Sequence, residues 1–65
     1  METITIKRTT KGTWMKRFDN YETSFSKISK KEALEDIKNA RSQNRMFADD
    51  NENNNDLPLI FAYKN

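Results

Sequence analysis

The chain has 65 residues, with twelve Lys and Arg against ten Asp and Glu, a formal charge of +2, and neither His nor Cys. A chain this short buries only about 60% of the surface its unfolded form exposes, so it makes one thin domain with little interior for a dry catalytic centre. Without Cys or His it has no disulfide framework, thiolate nucleophile, imidazole base or zinc finger.

No apolar run reaches the roughly 18 residues a bilayer span requires, and the N-terminus alternates polar with apolar where a signal peptide would be uniformly apolar. The expectation is a single small cytoplasmic domain over residues 1–65 with no membrane contact. Strand one is read over Glu2 to Arg8, because Ile4 and Ile6 alternate with Thr3, Thr5 and Lys7. Thr10, Lys11 and Gly12 form a three-residue hairpin loop, with the only Gly at its left-handed position. That loop sets Ile6 opposite Lys16 and Ile4 opposite Phe18, with strand two over Thr13 to Phe18. Asp19 and Asn20 suit a two-residue turn, which sets Phe18 opposite Tyr21, Arg17 opposite Glu22 and Trp14 opposite Phe25, with strand three over Tyr21 to Ser26. The two turns together gather Ile4, Ile6, Trp14, Phe18, Tyr21 and Phe25 on one face. Thr3, Thr5, Lys7, Met15, Arg17, Glu22 and Ser24 fall on the other, with an Arg17 to Glu22 ion pair.

Ser29 and Glu32 form a capping box, and Ala33, Leu34, Ile37 and Ala40 recur at three and four over a helix from Lys30 to about Asn44. This stripe is expected to cover the ring-bearing sheet face. Met46 and Phe47 form a short strand or an anchor. The all-polar run 49–56, DDNENNND, reads as a flexible loop. The last strand runs over Leu57 to Lys64, with Pro58 at its start or edge because proline cannot donate to a ladder. The fold class is α+β: a three-stranded antiparallel meander, one helix packed on one face and a C-terminal strand, in the order β-β-β-α-β, with the last strand at an edge.

The function classes are weighed on these elements. The last strand is apolar on both sides, so Ile60, Phe61 and Tyr63, with Met15 from the polar sheet face, are the candidate partner-binding residues. The partner is a protein or a second copy of the chain, joined through that edge. The alternative is nucleic-acid binding by Lys7, Arg8, Lys11 and Arg17. Asp49, Asp50, Glu52 and Asp56 lack the alternating acids, central Gly and closing Glu of a calcium loop, so no metal is expected. No spacing isolates a nucleophile with its base, and the sole Gly belongs to a turn, so no enzyme, cofactor or small-molecule substrate is expected.

The stretch Ser29 to Ala40, SKKEALEDIKNA, resembles the capped helix of HicB-type antitoxins, small sheet-plus-helix domains that bind a toxin partner. The resemblance covers about a dozen residues, implies a protein-binding role, and carries no functional residue across. The Gly and Pro features those antitoxins have between strands are missing. The size and the Asn and Lys bias are similar to those of small accessory or regulatory proteins of bacteria and phages.

Overall fold

A computed structural model describes residues 2–53 and 56–65. Its elements are β1 (Thr3–Arg8), β2 (Trp14–Phe18), β3 (Ser26–Ile28), α1 (Lys30–Ser42), β4 (Met46–Asp49) and β5 (Leu59–Lys64). The five strands form one antiparallel sheet in the order β3-β2-β1-β5-β4, with α1 on one face. This is the expected α+β class with one more strand than expected. The first and last strands are neighbours in the middle of the sheet.

The first hairpin follows the sequence. Gly12 sits at φ 87°, and Thr9 N–H donates to Thr13 O at 2.9 Å. The register is Ile4 opposite Phe18, Ile6 opposite Lys16 and Arg8 opposite Trp14. The second turn does not follow it. Asp19 N–H is taken by Thr3 O at 2.9 Å, Glu22 N–H donates to Phe18 O at 2.9 Å, and the Glu22 carboxylate accepts from Phe18 N–H at 2.9 Å. Strand three therefore starts only at Ser26, and Trp14 faces Ile28 in place of Phe25. A slip of three positions is odd, so it exchanges the sheet faces. Ile28 takes the inner place, while Phe25 lies on the opposite face under Lys7 and Arg17. Tyr21 is 69% exposed, stacked on Phe18 with ring centroids 5.6 Å apart. The expected Arg17 to Glu22 pair is replaced by Arg17 Nε to Asp19 Oδ1 at 2.9 Å.

α1 begins where Ser29 Oγ accepts from Glu32 N–H at 3.1 Å. It ends two residues earlier than expected. Asn44 adopts a left-handed φ of 60°, Arg45 N–H returns to Ala40 O at 2.9 Å and Asn44 N–H to Arg41 O at 3.1 Å. This is a Schellman closure with asparagine in the place glycine usually takes. A β-branched residue there pays the left-handed penalty of about 1–2 kcal/mol. Asn44→Val should therefore lower the urea midpoint and Asn44→Gly should hold or raise it; equal midpoints would reject this account of the helix end.

Thirteen residues at about 1.5 Å each make a helix about 20 Å long, and five strands about 4.8 Å apart span about the same distance. α1 accordingly carries the chain from the β3 edge to the β4 edge. Its stripe of Ala33, Ile37 and Ala40, all nearly inaccessible, meets Ile4, Ile6, Trp14, Leu59, Phe61 and Tyr63. Phe18, Ile28, Leu34 and Met46 close the margins. The two alanines let the helix approach the sheet closely enough for Phe61 and Trp14 to stack, with centroids 6.1 Å apart.

Two cations, Lys16 and Arg41, fasten the helix. Lys16, on the covered sheet face with 15% of its side chain exposed, donates to Asp36 at 2.7 Å and lies 3.9 Å from Glu32. Arg41 grips Asp49 with two hydrogen bonds of 2.8 and 2.7 Å and reaches Glu52 at 3.3 Å, tying the helix end to β4 and to the polar loop. The Arg41 guanidinium holds the Asp49 carboxyl below the usual carboxylate range. Of the expected loop over 49–56, Asp49 belongs to β4, and positions 54 and 55 lie outside the described residues.

Candidate functional site

One helix covers one side of the sheet. The other side is an open face built by the strand residues that alternate with the core. Across the strands it presents Lys27, then Met15 and Arg17, then Thr3, Thr5 and Lys7, then Ile60, Ala62 and Lys64, and finally Ala48 opposite Ala62. The register of β4 slips between Met46 and Ala48, and Phe47, the residue the slip inserts, is 58% exposed at the rim. The aliphatic residues Met15 and Ile60 lie on strands either side of β1, with Lys7 between them, and Ala62 is 7% exposed.

The chemistry of this face is most specific around Phe25. Lys7 Nζ lies 4.3 Å from the centroid of its ring and the Arg17 guanidinium 4.6 Å. Arg17 is held in turn by Asp19, whose other oxygen accepts from Thr5 Oγ1 at 2.8 Å. Cation–π pairs at exposed sites contribute about 0.5–1 kcal/mol each, so the segment between β2 and β3 is pinned to the open face by Phe25. Asp19 is already engaged, and Lys7, Lys27 and Lys64 keep the face positive.

The residues singled out from sequence separate cleanly. Ile60 is 51% exposed on the open face, and Met15 is half-buried on the same face two strands away, across Lys7. Phe61 and Tyr63, on the same strand, are 0% and 4% exposed and turned to the helix, so they are core and not docking residues. The reason is that β5 is not an edge: β1 and β4 pair with it on both sides, which also removes edge-to-edge dimerisation through this strand. Burial pushes the Tyr63 phenol above its ordinary pKa.

Lys7 and Arg17 stand together on the open face. Arg8 does not join them. It shares the face of Ile4 and Ile6, is 7% exposed, and its Nη2 donates to Leu57 O at 3.0 Å. Lys11 is exposed at the hairpin tip, away from the face. The proposed basic patch is therefore two patches on opposite sides of the sheet. Lys27, Lys64 and Phe47 are open-face residues that sequence reasoning left out of the site, and Phe25 is one it assigned to the covered face. The outward alternation of β5 carried the signal for Lys64.

Among the described residues no cluster of acidic side chains is arranged to hold a metal ion, and no helix is long and apolar enough to cross a membrane. Comparison with family models, with curated proteins and with solved structures finds no match. The functional reading accordingly rests on the geometry of the open face.

Proposed function

We propose that this chain is a non-catalytic binding module that docks a protein partner through the open face of its sheet, with Ile60 and Met15 as its apolar contacts, Lys7 between them and Arg17, Lys27 and Lys64 around them. The observation that carries the reading is the uncovered side chain of Ile60 on an interior strand of a five-stranded sheet, with Lys7 opposite it. Apolar side chains interspersed with charged ones are found at many protein interfaces. The fitting partner has an apolar projection ringed by carboxylates, since opposite charges speed encounter and fix orientation. The cation rim also supports the second reading, a single-stranded nucleic acid. Against it, stacking platforms present open rings, and here the ring of Phe25 is already covered by Lys7 and Arg17.

The test compares the full chain with Ile60→Asp and Lys7→Glu in retention of proteins from the native host. Truncating a central anchor typically costs about 2 kcal/mol or more, about thirtyfold in affinity, so Ile60→Asp should lose a protein that the parent chain retains. The thermal midpoint serves as the control for folding. Retention unaffected by Ile60→Asp, or retained material that disappears on nuclease treatment, would overturn protein docking.

A further inference from the structure

The strand register gives the open face a finer pattern. Ile60 stands opposite Lys7, Lys7 opposite Met15 and Met15 opposite Lys27, so side chains from four strands form one row across the sheet, alternating apolar with cationic. Each step along the row is about 4.8 Å, and like residues recur at about 10 Å. Among the described residues neither lysine is ion-paired, whereas Lys16 on the covered side and Arg17 on the open one both are. Lys7 leans over the Phe25 ring, and Lys27 is exposed. The adjacent row begins with Ala48, Ala62 and Thr5, whose small side chains do not hold a partner away from Ile60 and Met15.

The spacing discriminates between kinds of partner. On an α-helix, residues three or four apart share a side and rise about 5 Å, and residues seven apart rise about 10.5 Å. Those intervals match one and two steps of the row. Side chains on one side of an extended strand recur at about 6.7 Å, which falls out of step with the row at the first interval. A helix across the strands also has its counterpart in this molecule, since α1 crosses the covered side from edge to edge with 13 residues. The charge of the occupant follows from the two lysines: carboxylates belong between its apolar residues. A second copy does not supply them. Among the described residues α1 is the only helix, and its outer side carries Lys30, Lys31 and Lys38 against Glu35, with Glu32 drawn toward Lys16.

We propose that the open face binds an acidic amphipathic α-helix of a partner protein, laid across the strands. Apolar residues about seven positions apart sit on Ile60 and Met15, and acidic residues about midway between successive apolar ones meet Lys7 and Lys27. The inference rests on the reading of this face as a protein-docking surface and adds the form of the occupant.

The probe is a synthetic peptide of about 18 residues, long enough to hold a helix, with Leu and Glu alternating every three to four positions along one side and Ala and Gln elsewhere. It is titrated into the isotope-labelled full chain, and amide shifts report where it binds. Saturable shifts are expected at Lys7, Met15, Lys27 and Ile60. A peptide of the same composition with Leu and Glu at every second position, and one interrupted by a central Pro, should each bind at least about tenfold more weakly, because neither presents the pattern on one side of a helix. Lys7→Glu with Lys27→Glu should weaken the acidic peptide by about tenfold or more and create affinity for the version with Lys in place of Glu. The melting midpoint checks that this variant folds, and the milder Lys27→Gln should give a partial loss. The inference is overturned if the acidic peptide does not saturate, if either control peptide binds as tightly, if exchanging the charges on both sides restores nothing, or if the shifts fall on the α1 side. Loss of host-protein retention in Ile60→Asp alongside any of these results removes the helix and leaves protein docking standing, so the two failures are told apart.

Discussion

Phe61→Ala is expected to leave the chain unfolded at ambient temperature, whereas Ile60→Ala, one residue earlier, should leave the melting midpoint almost where it was. Phe61 is fully inaccessible in an interior strand, stacked on Trp14 and under the helix stripe. Replacing a buried Phe by Ala costs about 3–5 kcal/mol, and a single core in a chain of this size rarely supplies more than that. Ile60 is half exposed on the other side of the same strand, so its truncation opens no cavity. Circular dichroism melts of the two variants check the contrast. Equal midpoints would mean that the two sides of β5 are assigned the wrong way round.

The second large effect is expected at the ion pair beneath the helix. Asp36→Ala should destabilise by about 1–3 kcal/mol, because it strands a mostly covered ammonium, while Lys16→Met should be neutral or stabilising, because it removes the charge and fills the same space. The pair also has a signature in pH. Burial by itself would lower the Lys16 pKa, but the Asp36 hydrogen bond and the charges of Tyr63, Asp36 and Glu32 outweigh it, and the net shift is upward. A raised lysine contributes stability that is fully present below its ordinary value of 10.5 and is lost as pH rises through the folded-state value. Tyr63, raised by burial with Lys16 and Arg45 opposing, loses its contribution in the same alkaline direction, so the urea midpoint of the parent chain should fall as pH passes 10. Because Lys16 also holds the Tyr63 pKa down, the two groups are separated by Tyr63→Phe: its alkaline decline should persist and become shallower when Lys16→Met is added. Identical declines in Tyr63→Phe with and without Lys16→Met would show that the Lys16–Asp36 contact contributes nothing to folding.

Much of the fold is legible before any coordinates are seen, and the reasons are local. Gly12 fixes the first hairpin because a lone glycine after two polar residues admits one common loop, and the register follows from it. Ser29 and the spacing of Ala33, Ile37 and Ala40 define the helix and its buried side in the same way. The second turn misleads because Asp19 and Asn20 have the right chemistry for a tight bend, but both neighbouring acids are diverted. Asp19 is drawn to Thr5 and Arg17, and Glu22 to the Phe18 amide. Such competition for a carboxylate depends on what the fold brings near it, and dipeptide preference does not contain it.

The placement of β5 is non-local as well. Its two apolar sides are explained by a central position, where pairing on both edges joins burial on one face, and an outward-facing aliphatic is left over to form the candidate site. The burial of Arg8 was legible. It follows Ile4 and Ile6 at the period of a strand, and that pattern outweighs the expectation that arginine stays wet. The row of Ile60, Lys7, Met15 and Lys27, by contrast, draws on four strands, and no window of sequence brings those side chains together.

The central ladder joins the first strand to the last, so the residues that complete the core lie nearly the whole length of the chain apart. The hairpin and the helix therefore have no closed interior until β5 pairs with β1, a contact of high sequence separation that folding must reach before the core is complete. A truncation that removes β5 should leave β4 with no strand to pair with and β1 with one bare edge.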